Sequence, residues 1–259
     1  MTRHYTIRDL FRRVPNSLLS RYFHQQKLFI ELDFTGMKET RPDELFQAWI
    51  ELPDDRRKIL DSELKMIFEM SCPKGFQAII DEARWQMQDS PDACSEFIES
   101  LSALPSHYHR AMVAYLNHHE CWKGATRFYQ ADSLSWWRKR KNLGHRPADV
   151  SDSDIQQLTV LIRDYFHRTE GRGNNCVVEP YRRGELDYFF AYPEDYSQQQ
   201  YEWINGEFDN RPHTPAFVVV FIYSQNEGTL DLNFRGPRKA VEPLQNLFAT
   251  AILKQDNLP

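Results

Sequence analysis

The densest set of chemically able side chains lies between His107 and Cys121, which encloses His109, His118, His119 and Glu120. Zinc takes nitrogen and sulfur ligands in a tetrahedron. Ligands on one helix reach a common ion only when they sit three or four residues apart. His107 and His118 are eleven residues apart, or ~16 Å along a continuous helix. His118, His119 and Cys121 are too close in sequence to converge. The spacing argues against a metal, and no metal or cofactor is expected. The four cysteines, Cys72, Cys94, Cys121 and Cys176, form no C-x-x-C pair and lie in no nucleophile context, so the expectation is four free thiols, mostly buried. Glu194, Asp195, Glu202, Glu207 and Asp209 could supply a general acid and base, but no spacing singles out a pair. No catalytic residue can be named.

Cations form the second group. Trp136-Trp137-Arg138-Lys139-Arg140-Lys141 reads as the end of a helix over Ser133–Lys141. In that frame Trp136 and Arg140 share a face, as do Trp137 and Lys141, and the four cations complement the helix dipole. The functional reading is a phosphate-contacting patch with an aromatic for base stacking. Residues 1–27 add a net charge of +5. Arg8, Arg12, Arg13 and Arg21 stand on two short helices around Val14-Pro15, which is a helix-turn-helix or, more simply, an αα-corner. Gly171-Arg172-Gly173 follows a helix and precedes a strand. A phosphate-cradling loop needs the reverse order, so these glycines read as a helix C-cap with Arg172 projecting. The candidate nucleic-acid contacts are therefore Arg8, Arg12, Arg13, Arg21, Trp137, Arg138, Lys139, Arg140, Lys141 and Arg172.

Aromatics form the third group. Tyr188, Tyr192, Tyr196, Tyr201 and Trp203 crowd a strand and the long polar stretch from Pro193 to Pro215. Helices packed on one side of a sheet cover only one of its faces. By period-two alternation Tyr188, Phe190 and Tyr192 face one way, and Asp187, Phe189 and Ala191 the other. Tyr188, Tyr192, Tyr196, Tyr201 and Trp203 are the candidate partner-binding residues.

The elements that position these groups fall into two kinds. Residues 1–146 read as an all-α bundle, its helices separated by Pro-marked turns. Lys27–Phe34 is apolar and reads as a short strand or an extended link. Gly144–Asp149 reads as a linker. Residues 151–259 read as an α-ββ-ββ-α domain. Ser151 or Ser153 caps a helix over Asp154–His167. Two hairpins follow, Cys176–Tyr181 with Leu186–Tyr192 and Ala216–Ser224 with Thr229–Phe234. Each is rich in β-branched and aromatic residues around a Gly-containing turn. A last helix spans about Val241–Leu253. The fold class expected is α+β, two domains, with a four-stranded antiparallel sheet in the second.

A chain of 259 residues is ample for this. No apolar run approaches the ~20 residues that span a bilayer, and no signal peptide is evident at the start, so a cytoplasmic protein with no membrane contact is expected. Residues 1–150 carry a net +1 and residues 151–259 a net −6, which argues against a broad nucleic-acid platform in the second half. With no catalytic signature, the leading expectation is a binding or adaptor protein acting through a protein partner, such as an accessory subunit of a bacterial defence or toxin–antitoxin system. The alternatives are a nucleic-acid-binding subunit using the basic helices and Arg138–Lys141, and a hydrolase with a dispersed site.

Overall fold

A computed structural model describes residues 4–204, 206–256 and 258. The chain mixes helix and sheet and divides into two compact units, the first ending at Ser133 and the second starting at Leu134.

The first unit is helical. Its helices are α1 (Ile7–Arg13), α2 (Asn16–Gln25), α3 (Asp43–Ile50), α4 (Asp54–Met70), α5 (Pro73–Gln86), α6 (Pro91–Ser102), α7 (His107–Asn117) and α8 (His119–Asp132). Local chemistry starts them. The Thr6 hydroxyl accepts from the Asp9 N–H, the Cys72 sulfur from Gly75, and the Ser106 hydroxyl from His109. Leu10, Phe11, Leu19 and Phe23 turn inward and are fully buried. Phe11 and Phe23 meet the ring of Trp49 edge-on at 5.9 and 6.3 Å. The link over Lys27–Phe34 is not a strand. It is a series of tight turns in which Lys27 and Phe29 take positive φ angles of 57° and 55°, a conformation that β pairing excludes.

The second unit carries seven described strands. They are β1 (Arg138–Arg140), β2 (Val178–Arg183), β3 (Leu186–Ala191), β4 (Gln198–Ile204), β5 (Glu207–His213), β6 (Val219–Ser224) and β7 (Thr229–Phe234). Five of them form one antiparallel sheet in the order β1-β7-β6-β3-β2. Helices α9 (Asp152–Glu170) and α10 (Val241–Phe248) pack on it, the latter continuing as a π-turn over Ala249–Leu253. The Ser151 hydroxyl caps α9, and Gly171 ends it at φ +71°. Ile162 and Phe166 of α9, Phe189 and Phe221 of the sheet and Phe248 of α10 are fully buried in one core. Phe248 is its centre: its ring lies 5.0 Å from Phe189 and 5.1 Å from Phe221.

Three further expectations are corrected here. The main sheet has five strands, not four. Its extra strand comes from the stretch expected as a helix over Ser133–Lys141: Arg138, Lys139 and Arg140 pair with Leu232, Asp231 and Leu230. Beyond Trp137 that stretch has no apolar residue before Leu143, so a helix there would bury little, whereas pairing satisfies its backbone against β7. The polar stretch from Pro193 to Pro215 is not a loop. It holds a separate two-stranded ribbon, β4 with β5. The run Gly144–Asp149 is no free tether either. The Tyr223 hydroxyl donates to the carbonyls of Gly144 and Arg146 at 3.1 and 2.7 Å, and the Leu143 N–H to the Gly228 carbonyl at 2.9 Å.

Candidate functional site

β1 forms one edge of the sheet, and its short sequence fixes where its cations point. Side chains alternate across a strand. Arg138 and Arg140 lie opposite Leu232 and Leu230, so they share the face that α10 covers. Lys139 faces the other way, 3.3 Å from Asp231 and 3.6 Å from Glu227. The strand is pinned along its length. The Gln245 amide of α10 donates to the Arg138 carbonyl at 3.1 Å, and the Asn233 amide to the Ser135 carbonyl at 2.6 Å. The Arg140 guanidinium donates to the Leu258 carbonyl at 3.1 Å. Left-handed residues bracket the strand, Trp136 at φ +70° and Asn142 at φ +62°.

An open groove of about 570 Å³ runs along this edge. Trp137 and the stretch Arg138–Lys141 line one side, with the Lys139 ammonium turned to Asp231 and Glu227. Arg238, Glu242 and Gln245 line the other, where a single 3₁₀ turn, Arg238–Ala240, leads into α10. Among the described residues, Arg138, Lys141 and Arg238 have no acidic partner. Their charge is screened by water and salt and weakened on the α10 side by Glu242. Trp136, the residue before the groove-lining Trp137, is 81% exposed. Cations on alternate strand residues, with Trp137 in the same groove wall, suit a chain of phosphates bearing planar groups.

The helix-end reading of this run falls with the helix. No helix C-terminus precedes Arg138–Lys141 directly, because the nearest helix before it, α8, stops at Asp132.

The chain matches no protein family, no characterised protein and no solved structure. The functional reading therefore rests on the groove and its competitors.

The other expected nucleic-acid contacts are not among the residues that line the groove. Arg8, Arg12, Arg13 and Arg21 belong to the helical unit. Arg8 pairs with Asp43 and lies over the Phe46 ring; Arg13 pairs with Asp9 at 2.8 Å; Arg21 donates to the Asn117 side chain at 2.6 Å. Arg12 is exposed. Arg172 is corrected outright. It does not project but sits with a side chain 10% exposed, ion-paired to Glu170 and Asp195 and stacked 3.9 Å above Phe217. It clamps the end of α9 to the root of the β4–β5 ribbon, so it is structural.

The expected partner-binding set also separates. Tyr188 is 5% exposed and stacks on Phe190, so it is a packing residue, contrary to expectation. Tyr192 is half-buried. The Tyr196 hydroxyl donates to the Glu170 carbonyl at 2.5 Å, and its ring covers Arg172. Tyr201 and Trp203 point outward from one face of the ribbon with Phe208, whose ring stacks on Tyr201 at 5.9 Å; all three are exposed by 60% or more. Phe208 completes this face and is absent from the expected set, although its pairing opposite Trp203 follows from the hairpin register.

The His107–Cys121 cluster disperses. His118 breaks the chain between α7 and α8 and packs 4.2 Å from the Phe97 ring, His107 lies against Phe76, and the Ser106 hydroxyl meets the His109 ring at 2.7 Å. Among the described residues, no group of three His, Cys, Asp or Glu could hold a metal ion. Burial pushes the Cys121 thiol up to about 12, the opposite of what an attacking thiolate needs. No helix among the described residues is long and apolar enough to cross a membrane.

Proposed function

We propose that this chain binds nucleic acid, and that the groove along β1 contacts the phosphodiester backbone. One observation carries the reading. Arg238 is brought to one groove with Arg138 and Lys141 from a sequence position far away, and among the described residues none of the three is ion-paired. Charged residues on an edge strand also discourage a further strand from adding. That simpler role accounts for Arg138–Arg140 but not for Arg238, which is outside the sheet, nor for an exposed Trp136. The overall charge of −5 does not oppose it, since exposed charges beyond ~8 Å are largely screened at physiological salt.

Three or four phosphate contacts give a log–log salt slope of roughly −2 to −3 on a single strand. Fluorescence anisotropy of a labelled 12-nucleotide dT strand, titrated at several salt concentrations, reads that slope. No salt-sensitive binding at 50 mM salt contradicts the reading.

A second reading, a protein partner, is favoured by the ribbon. A two-stranded hairpin is marginal alone, and one face of this one offers Tyr201, Trp203 and Phe208 to solvent. Changing these three to serine removes stacking among exposed rings but no residue of the core, so the melting temperature of the chain is expected to stay within about 2 °C, in line with the small effects of surface substitutions. Cross-linking in the source cells should then recover partners with the native chain that do not appear with the serine variant. Identical partner sets for both exclude the ribbon as the binding face.

A further inference from the structure

We propose that the groove selects single-stranded over duplex nucleic acid, with Trp136 as the platform on which a base stacks. This rests on the reading of the groove as a nucleic-acid contact and adds the form of the ligand.

Trp136 is costly to the fold in two ways. A bulky residue at φ +70° is a true backbone outlier. Its indole, the largest apolar side chain available, is 81% exposed and gains little from the hydrophobic effect. No ring stacking or cation contact holds it among the described residues. The cost is explained if the left-handed turn serves to present the ring. The turn places it directly before the strand that carries the cations, and Trp137 enters the groove wall as the next residue.

The shape of the site then chooses the ligand. A concave groove of about 570 Å³ is the size of a small-molecule pocket. It admits one strand with its phosphates against Arg138, Arg140 and Arg238. In a duplex the bases are stacked on each other and only their edges face the grooves, so the Trp136 face has nothing to stack on. In a single strand every base has a free π-face, which makes stacking tolerant of sequence.

The test compares a 12-nucleotide dT strand with a 12-base-pair duplex of mixed sequence, both titrated into the full chain. The native protein is expected to bind the single strand at least about tenfold more tightly. Trp136→Ala should weaken single-strand binding about tenfold, toward the lower end of the range for removal of one stacked base. It should leave duplex binding within twofold. Trp136→Phe should keep most of the single-strand affinity, and both variants should melt like the native chain because the ring is exposed. Equal affinity of the native protein for the two forms, or an equal weakening of both in Trp136→Ala, overturns the proposal while leaving the groove as a backbone contact. If neither form binds, but anionic lipid vesicles do, the underlying reading fails and this one with it.

Discussion

Replacing Arg138, Arg140, Lys141 and Arg238 together by glutamine is expected to lower affinity for a short dT strand roughly 10²–10³-fold at 0.1 M salt. The size follows from counterion release. Each phosphate engaged on a single strand adds ~0.7 to the log–log slope, and so ~0.7 log units of affinity at 0.1 M salt. Four such phosphates give nearly three log units, and three give about two. The salt slope should flatten in step, by ~0.7 for each phosphate that the variant no longer engages. Glutamate at the same four positions adds repulsion and should abolish binding. Glutamine keeps much of the side-chain length and hydrogen bonding, and the strand is held by main-chain pairing to β7, so the fold should survive. Arg140 is the exception to watch, since its guanidinium also holds the Leu258 carbonyl. The triple variant that retains Arg140 separates that hydrogen bond from the charge effect. Unchanged affinity in a folded quadruple variant would mean that the cations are only edge protection.

Phe248→Ala is expected to cost about 3–5 kcal/mol of stability in the second unit. The ring is fully buried and touches β3 and the central strand β6 through Phe189 and Phe221, with Tyr223 6.1 Å away. Truncation opens a cavity where α10 meets the sheet. For a unit of this size the destabilisation lowers the melting temperature by roughly 10–20 °C. It should also weaken oligonucleotide binding, because α10 supplies Gln245 to the Arg138 carbonyl and carries the far wall of the groove. Phe248→Leu keeps most of the volume and should cost much less. A change below 1 kcal/mol for Phe248→Ala, by thermal or urea unfolding, would remove the ring from the centre of the core, since burial of a ring this large is worth more than that.

Much of this architecture is legible in the residues themselves. The Ser151 cap, the Leu158, Ile162 and Phe166 stripe and Gly171 define α9 from its own chain. The β-branched and aromatic runs around Gly184 and Gly228 define β2–β3 and β6–β7, because each pair is joined by a short local turn. β1 is different. Arg138-Lys139-Arg140 has no pattern of its own, and its strand character comes from Leu230–Leu232, far along the chain. Tertiary pairing overrides local preference there. The ribbon carries a readable signal in Asn205-Gly206, the pair favoured in two-residue hairpin turns; Gly206 is left-handed at φ +83°. Its polar composition hides the alternation of Gln199, Tyr201 and Trp203. The groove is half legible: Arg138–Lys141 stand out as a charge run, whereas Arg238 lies beside them only because β7 returns along β1 before α10 begins.

Ultraviolet cross-linking of the full chain to a dT strand, with the adducts located by peptide mass spectrometry, tests the groove most directly. Every cation proposed to touch phosphate lies in two segments, residues 136–141 and 235–242. The basic helices α1 and α2 offer a separate cluster, with Arg8, Arg13 and Arg21 already engaged within their own unit. Adducts are expected at Trp136 or Trp137 and in the segment around Arg238, and they should fade as salt rises. Adducts confined to Arg8–Arg21, or spread evenly over the surface regardless of salt, would contradict the groove as the nucleic-acid contact.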